Sequence, residues 1–103
     1  MKKGLSETCY KFFSVLSNPT RLATLETLRE RPMNVSQLAK SLGQEQSMIS
    51  HNLRPLVRCR FVDVEKRGKE RFYYINHDTL DPIFKIIESH ERNYCPSGGH
   101  CLE

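Results

Sequence analysis

Apolar positions along this 103-residue chain recur at helical spacing, change to strand spacing after Phe61, and return to helical spacing near the end. Cys9, Phe12, Phe13 and Leu16 share a helical period and predict a first helix. Ser17-Asn18-Pro19 then supplies a cap followed by proline at the first helical position, where its missing N–H costs nothing. Leu22, Leu25 and Leu28 predict a second helix, stopped by Arg31-Pro32, and Val35, Leu38, Ala39 and Leu42 a short third one ended by Gly43. From Gln46 to Arg58 the stripe Ile49, Leu53, Leu56, Val57 turns inward, opposite Ser47, Ser50, His51, Arg54 and Arg58.

After that fourth helix Val62 and Val64 alternate with Asp63 and Glu65, and a second strand-like run covers 71–75 beyond Lys66-Arg67-Gly68-Lys69-Glu70. Two such runs around a glycine predict a hairpin. A last helix is expected to be capped by Asp78 or Thr79, with Pro82 in its first turn and Leu80, Ile83, Phe84 and Ile87 on its apolar face. No repeat or linker divides the chain. The order helix, helix, helix, helix, hairpin, helix predicts a mainly α (α+β) winged helix-turn-helix over residues 1–94, followed by a flexible tail over 95–103.

That arrangement carries a chemistry. A helix fits the major groove of B-DNA, about 12 Å wide, and residues near its N-terminus reach base edges. Ser47, Ser50 and His51, flanked by Gln46, can donate and accept there, while Arg54 and Arg58 suit phosphates. Lys66, Arg67, Lys69 and Arg71 make the hairpin tip basic, with Glu70 the single acid between them. Any surface helix is polar on one side and most basic turns are merely solvated; the two together, in the order that shares one DNA face, point to DNA. A winged-helix module that binds protein instead is the competing class, and the basic wing argues against it. No nucleophilic triad and no glycine-rich phosphate loop after a strand suggests an enzyme.

Composition adds constraints. A formal net charge of +4 suits a polyanionic partner. A chain this short has limited capacity to bury a core by itself, which favours a dimer. No apolar run approaches the roughly 18 residues of a membrane span, so a cytoplasmic protein is expected, with its four cysteines reduced.

The stretches LSNPTRLATLETL (16–28), VSQLAKSLGQEQSMISHNLRPL (35–56) and GKERFYYIN (68–76) resemble the ArsR/SmtB family of metal- and stress-responsive winged-helix repressors, over about residues 5–92. The resemblance implies a homodimer built from the first and last helices, a palindromic operator and release by an inducer. Phe12, Leu16, Leu80, Ile83, Phe84 and Ile87 are the candidate seam. This chain departs from the family's pattern at three places. The third helix lacks the Cys-x-Cys site of some members, since Pro32-Met33-Asn34-Val35-Ser36 stands there. The last-helix zinc site keeps Asp78 and Glu91 but has Leu80 and Tyr94 at the other two positions, and neither is a good ligand. Pro55 interrupts the fourth helix, removing a hydrogen bond to the His51 carbonyl, with an expected kink and a cost of about 3 kcal/mol.

Cys95 and Cys101 remain, with His100 between them, across a Pro-Ser-Gly-Gly link. Three readings stay open: a soft-ion site, a redox switch, or an ordinary chain end. As a site, Cys95, Cys101 and a third thiol from Cys9 would suit arsenite or cadmium, and two thiols with His100 would suit zinc or copper(I). Cys59, beside Phe61, is read as core packing.

Overall fold

The computed structural model describes residues 10–95. Five helices and one hairpin follow in order: α1 (Tyr10–Leu16), α2 (Pro19–Leu28), α3 (Val35–Leu42), α4 (Gln46–Arg58), β1 (Val62–Arg67), β2 (Glu70–Ile75) and α5 (His77–Tyr94). This is the winged helix-turn-helix that the periodicities predict. Among the described residues no helix is long and apolar enough to cross a membrane.

Local chemistry fixes the boundaries. Asn18 Oδ1 accepts the Arg21 N–H at 3.1 Å, with Pro19 opening α2. Asn34 and Gln37 form a reciprocal capping box on α3, at 2.8 and 3.0 Å. Gly43, at φ +62°, ends α3 in the left-handed conformation and turns the chain into α4. Gly68, also at φ +62°, takes the first central position of the two-residue hairpin turn. Arg60 is the sole non-glycine residue with positive φ among those described, so Lys69 is not, which is the type II′ pattern.

The core joins Leu25 and Leu28 of α2, Leu38 of α3, Ile49, Leu53 and Leu56 of α4, Phe61, Val62 and Ile75 around the hairpin, and Leu80 and Phe84 of α5. Phe12 of α1 packs edge-on against Phe61, ring centroids 4.8 Å apart. Met33, fully within this core, exchanges two backbone hydrogen bonds with Tyr73 at 3.0 and 2.8 Å, giving β2 a short second neighbour.

Two expectations need correction. α2 ends at Leu28, a turn short of Arg31-Pro32. α5 starts at His77, before the expected caps Asp78 and Thr79; Asn76 precedes it and gives no side-chain cap. The Asn76 side chain instead donates to the Arg60 carbonyl at 2.9 Å and its backbone N–H to the Phe61 carbonyl, which sets the entry of α5 from α4's end. α4 continues as one helix through Pro55, which is buried, so apolar contact offsets part of the lost hydrogen bond.

α4 closes on a Schellman arrangement without its usual glycine. The Phe61 N–H reaches the Leu56 carbonyl at 2.9 Å and the Arg60 N–H reaches Val57 at 3.0 Å, with Arg60 at φ +64°. A side chain in that conformation costs about 1–2 kcal/mol. Arg60→Gly should therefore raise the unfolding free energy by about 1 kcal/mol after the entropy of the added glycine is counted. The Arg60–Asp63 ion pair at 3.5 Å is too exposed to offset that gain. Urea denaturation should show a higher midpoint at unchanged slope; a lower midpoint would show that Arg60 is not strained.

Candidate nucleic-acid interface

α3, the Gly43 turn and α4 place one face of α4 outward. Gln46, Ser47, Ser50, His51, Arg54 and Arg58 are all exposed, while Ile49, Leu53 and Leu56 are buried. Between α4 and the hairpin lies an open cleft of about 510 Å³, lined by Ser50, Arg54, Arg58 and Arg71 at its polar sides and by Val57, Val64 and Tyr73 among its apolar ones. Among the described residues no acidic side chain lines it. Among the described residues, Arg54, Arg58 and Arg71 have no carboxylate within ion-pair distance, unlike Arg29, Arg60 and Arg67.

The hairpin register divides the wing's cations. Val62 pairs with Ile75, Val64 with Tyr73 and Lys66 with Arg71, so these six share one face. Val64, Tyr73 and Arg71 line the cleft, which turns that face toward α4. Arg67 pairs with Glu70 on the other face, is held 3.2 Å from Glu65 and stacks over Phe72 at 4.6 Å. Lys69 sits in the turn. The basic tip is thus not uniform: Lys66 and Arg71 extend the α4 cleft, and Arg67 is partly neutralised away from it.

An apolar groove of about 610 Å³ runs between α1, α2 and α5, with Phe12, Phe13, Leu16, Leu22, Ile83 and Ile87 among its walls. Of the six seam candidates, Leu80 and Phe84 are 1% and 7% exposed. They are taken up by the chain's own core and offer little area to a second copy. Phe13, Leu22 and Ile86, which the sequence reading left out, are 67%, 40% and 68% exposed on the same groove.

The tail site is mostly outside the described residues: Cys9, His100 and Cys101 fall there, and Cys95, half-buried just after α5, is the one candidate ligand described. Among the described residues no three His, Cys, Asp or Glu side chains converge on a common point. Leu80, which stands at one of the other two positions of the last-helix zinc pattern, is buried in the core. His77 lies 3.0 Å from Asp81, and the His90 ring rests near Tyr94. Cys59 packs against the core, as expected.

Sequence reasoning missed Asn52, a buried amide on α4, and its partner Arg21. Helical phase carried the signal: Asn52 is three residues after Ile49 and beside Leu53, on the inward side. Met48, 46% exposed on the first turn of α4, and Val64 and Tyr73 in the cleft also went unassigned.

This geometry can seat a helix against a duplex, with hydroxyls and an imidazole toward base edges and guanidiniums toward phosphates. A family model for the bacterial regulatory proteins of the arsR family matches residues 18–64. An uncharacterised helix-turn-helix transcriptional regulator of Methanocaldococcus jannaschii is 34% identical over 83 residues, covering 80% of this chain and 93% of that protein. The arsenical resistance operon repressor of Staphylococcus xylosus is 33% identical over 74 residues, covering 72% and 71%. The solution structure of a homodimeric winged helix-turn-helix DNA-binding domain from Mycobacterium bovis superimposes over 100% of both chains with a TM-score of 0.79 at 19% identity. The chain belongs to the arsR family of bacterial regulatory proteins, as a DNA-binding winged-helix transcriptional regulator and not an enzyme.

Proposed function

We propose that the protein is a cytoplasmic homodimeric repressor that occupies a palindromic operator and leaves it when a thiol-directed ligand binds. The observation that carries the DNA contact is the cleft between α4 and the wing, where Arg54, Arg58 and Arg71 stand with no acidic partner among the described residues, beside exposed Ser47, Ser50 and His51. In this reading Gln46, Ser47, Ser50 and His51 meet base edges. Arg54, Arg58, Arg71, Lys66 and Lys69 meet phosphates, with Arg67 contributing less. The apolar groove is the seam with a second copy, a reading supported by the homodimeric M. bovis neighbour. Repression is supported by the S. xylosus relative, which is named a repressor. The inducer is a soft ion such as arsenite, cadmium, zinc or copper(I), held by Cys95 together with Cys101, His100 or Cys9.

A mobility shift on the DNA upstream of the protein's own gene tests the proposal, run with and without each of those ions and a thiol oxidant. The parent should shift the duplex, and Ser50→Ala/His51→Ala should weaken that shift at least tenfold while random DNA is bound as before. No shift at all refutes the regulator reading. Release that persists unchanged in Cys95→Ser/Cys101→Ser removes the tail from the inducer's site and leaves DNA binding standing. Release by the oxidant alone would favour a redox switch.

A further inference from the structure

Arg21 belongs to α2, which carries no base-facing residue, yet its guanidinium joins three helices. Its Nε donates to Asn52 Oδ1 of α4 at 3.2 Å, and its Nη1 donates to the Val15 carbonyl of α1 at 3.1 Å. Asn52 in turn donates from Nδ2 to the Met48 carbonyl at 3.1 Å. Asn52 is 4% exposed and is the one buried polar side chain of α4. It lies directly after His51 and two residues after Ser50.

A leucine at this inward phase would supply apolar area, as Ile49, Leu53 and Leu56 do, without any polar group to satisfy. What an amide adds is direction. Apolar packing along a helix stripe tolerates small rotations, whereas a fork of hydrogen bonds holds both distance and angle. Side chains of α4 reach roughly 5–6 Å from its axis, so a 10° rotation displaces their tips by about 1 Å. That displacement is enough to lose a hydrogen bond to a base edge.

We infer that Arg21 and Asn52 are positioning residues for base reading: together they hold α4 against α1 and α2 at the rotation that presents Ser50 and His51 to the groove. The inference rests on the DNA-reading role proposed above and adds a pair that governs specificity while Asn52 itself stays closed off from solvent. The same guanidinium reaches α1, a wall of the apolar groove, so one side chain ties the groove's rim to the base-facing helix.

Two variants test it. Arg21→Lys keeps the positive charge but has no planar fork to bridge two acceptors. Asn52→Leu keeps the bulk and removes the amide. Each variant, and the double variant, is titrated against the upstream duplex and a random duplex of equal length, with active protein counted by stoichiometric titration well below the unfolding temperature. Each single change should lower the upstream-to-random ratio about tenfold, with random-DNA affinity and the dimer constant unchanged, and the double variant should be no worse than Asn52→Leu alone. A ratio equal to the parent's in both variants overturns the inference, as do losses that add in the double variant. Arg21→Lys, the milder change, decides the matter if Asn52→Leu folds poorly. A parent with no preference for its upstream DNA refutes the DNA-reading role itself, an outcome distinct from failure of the pair alone.

Discussion

Replacing Arg54, Arg58 and Arg71 together with alanine should weaken binding to any duplex by at least about a hundredfold near physiological salt, operator and random DNA alike. The three guanidiniums line one cleft with no acid on its walls among the described residues, so the charge they present is not cancelled locally. Each phosphate neutralised releases counterions and adds about 0.9 to the slope of log affinity against log salt, so a dimer that loses three contacts from each copy should bind with a slope shallower by about 5.4. All three residues are exposed, and their removal should leave stability nearly unchanged. Arg67→Ala is the internal control. Its guanidinium already faces Glu65 and Phe72 on the far side of the hairpin, and its loss should change the slope little. A triple variant with the parent's slope would place the phosphates elsewhere.

Phe13→Glu with Ile86→Glu should convert the protein to a monomer at micromolar concentration, weakening association about a thousandfold. These side chains are 67% and 68% exposed in the single chain, so a carboxylate there is tolerated without a partner. In a twofold dimer each charge appears twice in an apolar seam, and burying unpaired charge costs several kcal/mol. Sedimentation equilibrium measures the change, and circular dichroism should show unchanged helix. The same substitution at Leu80 or Phe84 should instead unfold the chain, because those residues lie in its core. A double variant that still dimerises like the parent would show that the groove is not the seam.

The contrast between Leu80 and Ile87 shows where sequence reading stops. One apolar stripe on α5 serves both the chain's own core and an open groove, and periodicity alone does not say which residues the chain covers itself. The helices, the hairpin and their order were legible because the period changes cleanly and because Asn18-Pro19, Gly43 and Gly68 mark the turns. The start of α5 was not, since it depends on Asn76 bonding backward to Arg60 and Phe61, a contact sixteen residues away in sequence. The base-facing stripe was legible from helical phase. The inequality of the wing's cations was not, because it follows from cross-strand register, where one residue's slip exchanges the faces. Arg60 hid for a different reason: the helix end it closes normally carries glycine, and the hydrogen bonds enforce the conformation without one.

In the proposed assembly two copies present α4 to successive major grooves while their wings follow the flanking backbone. Hydroxyl-radical footprinting on the upstream duplex tests this most directly. Two protected patches should appear, related by a dyad and centred about one helical turn, roughly 34–36 Å, apart. Both should weaken together in Ser50→Ala/His51→Ala, with the outermost protection lost in Lys66→Ala/Arg71→Ala. A single patch without a dyad, or protection that ignores Ser50 and His51, would contradict it.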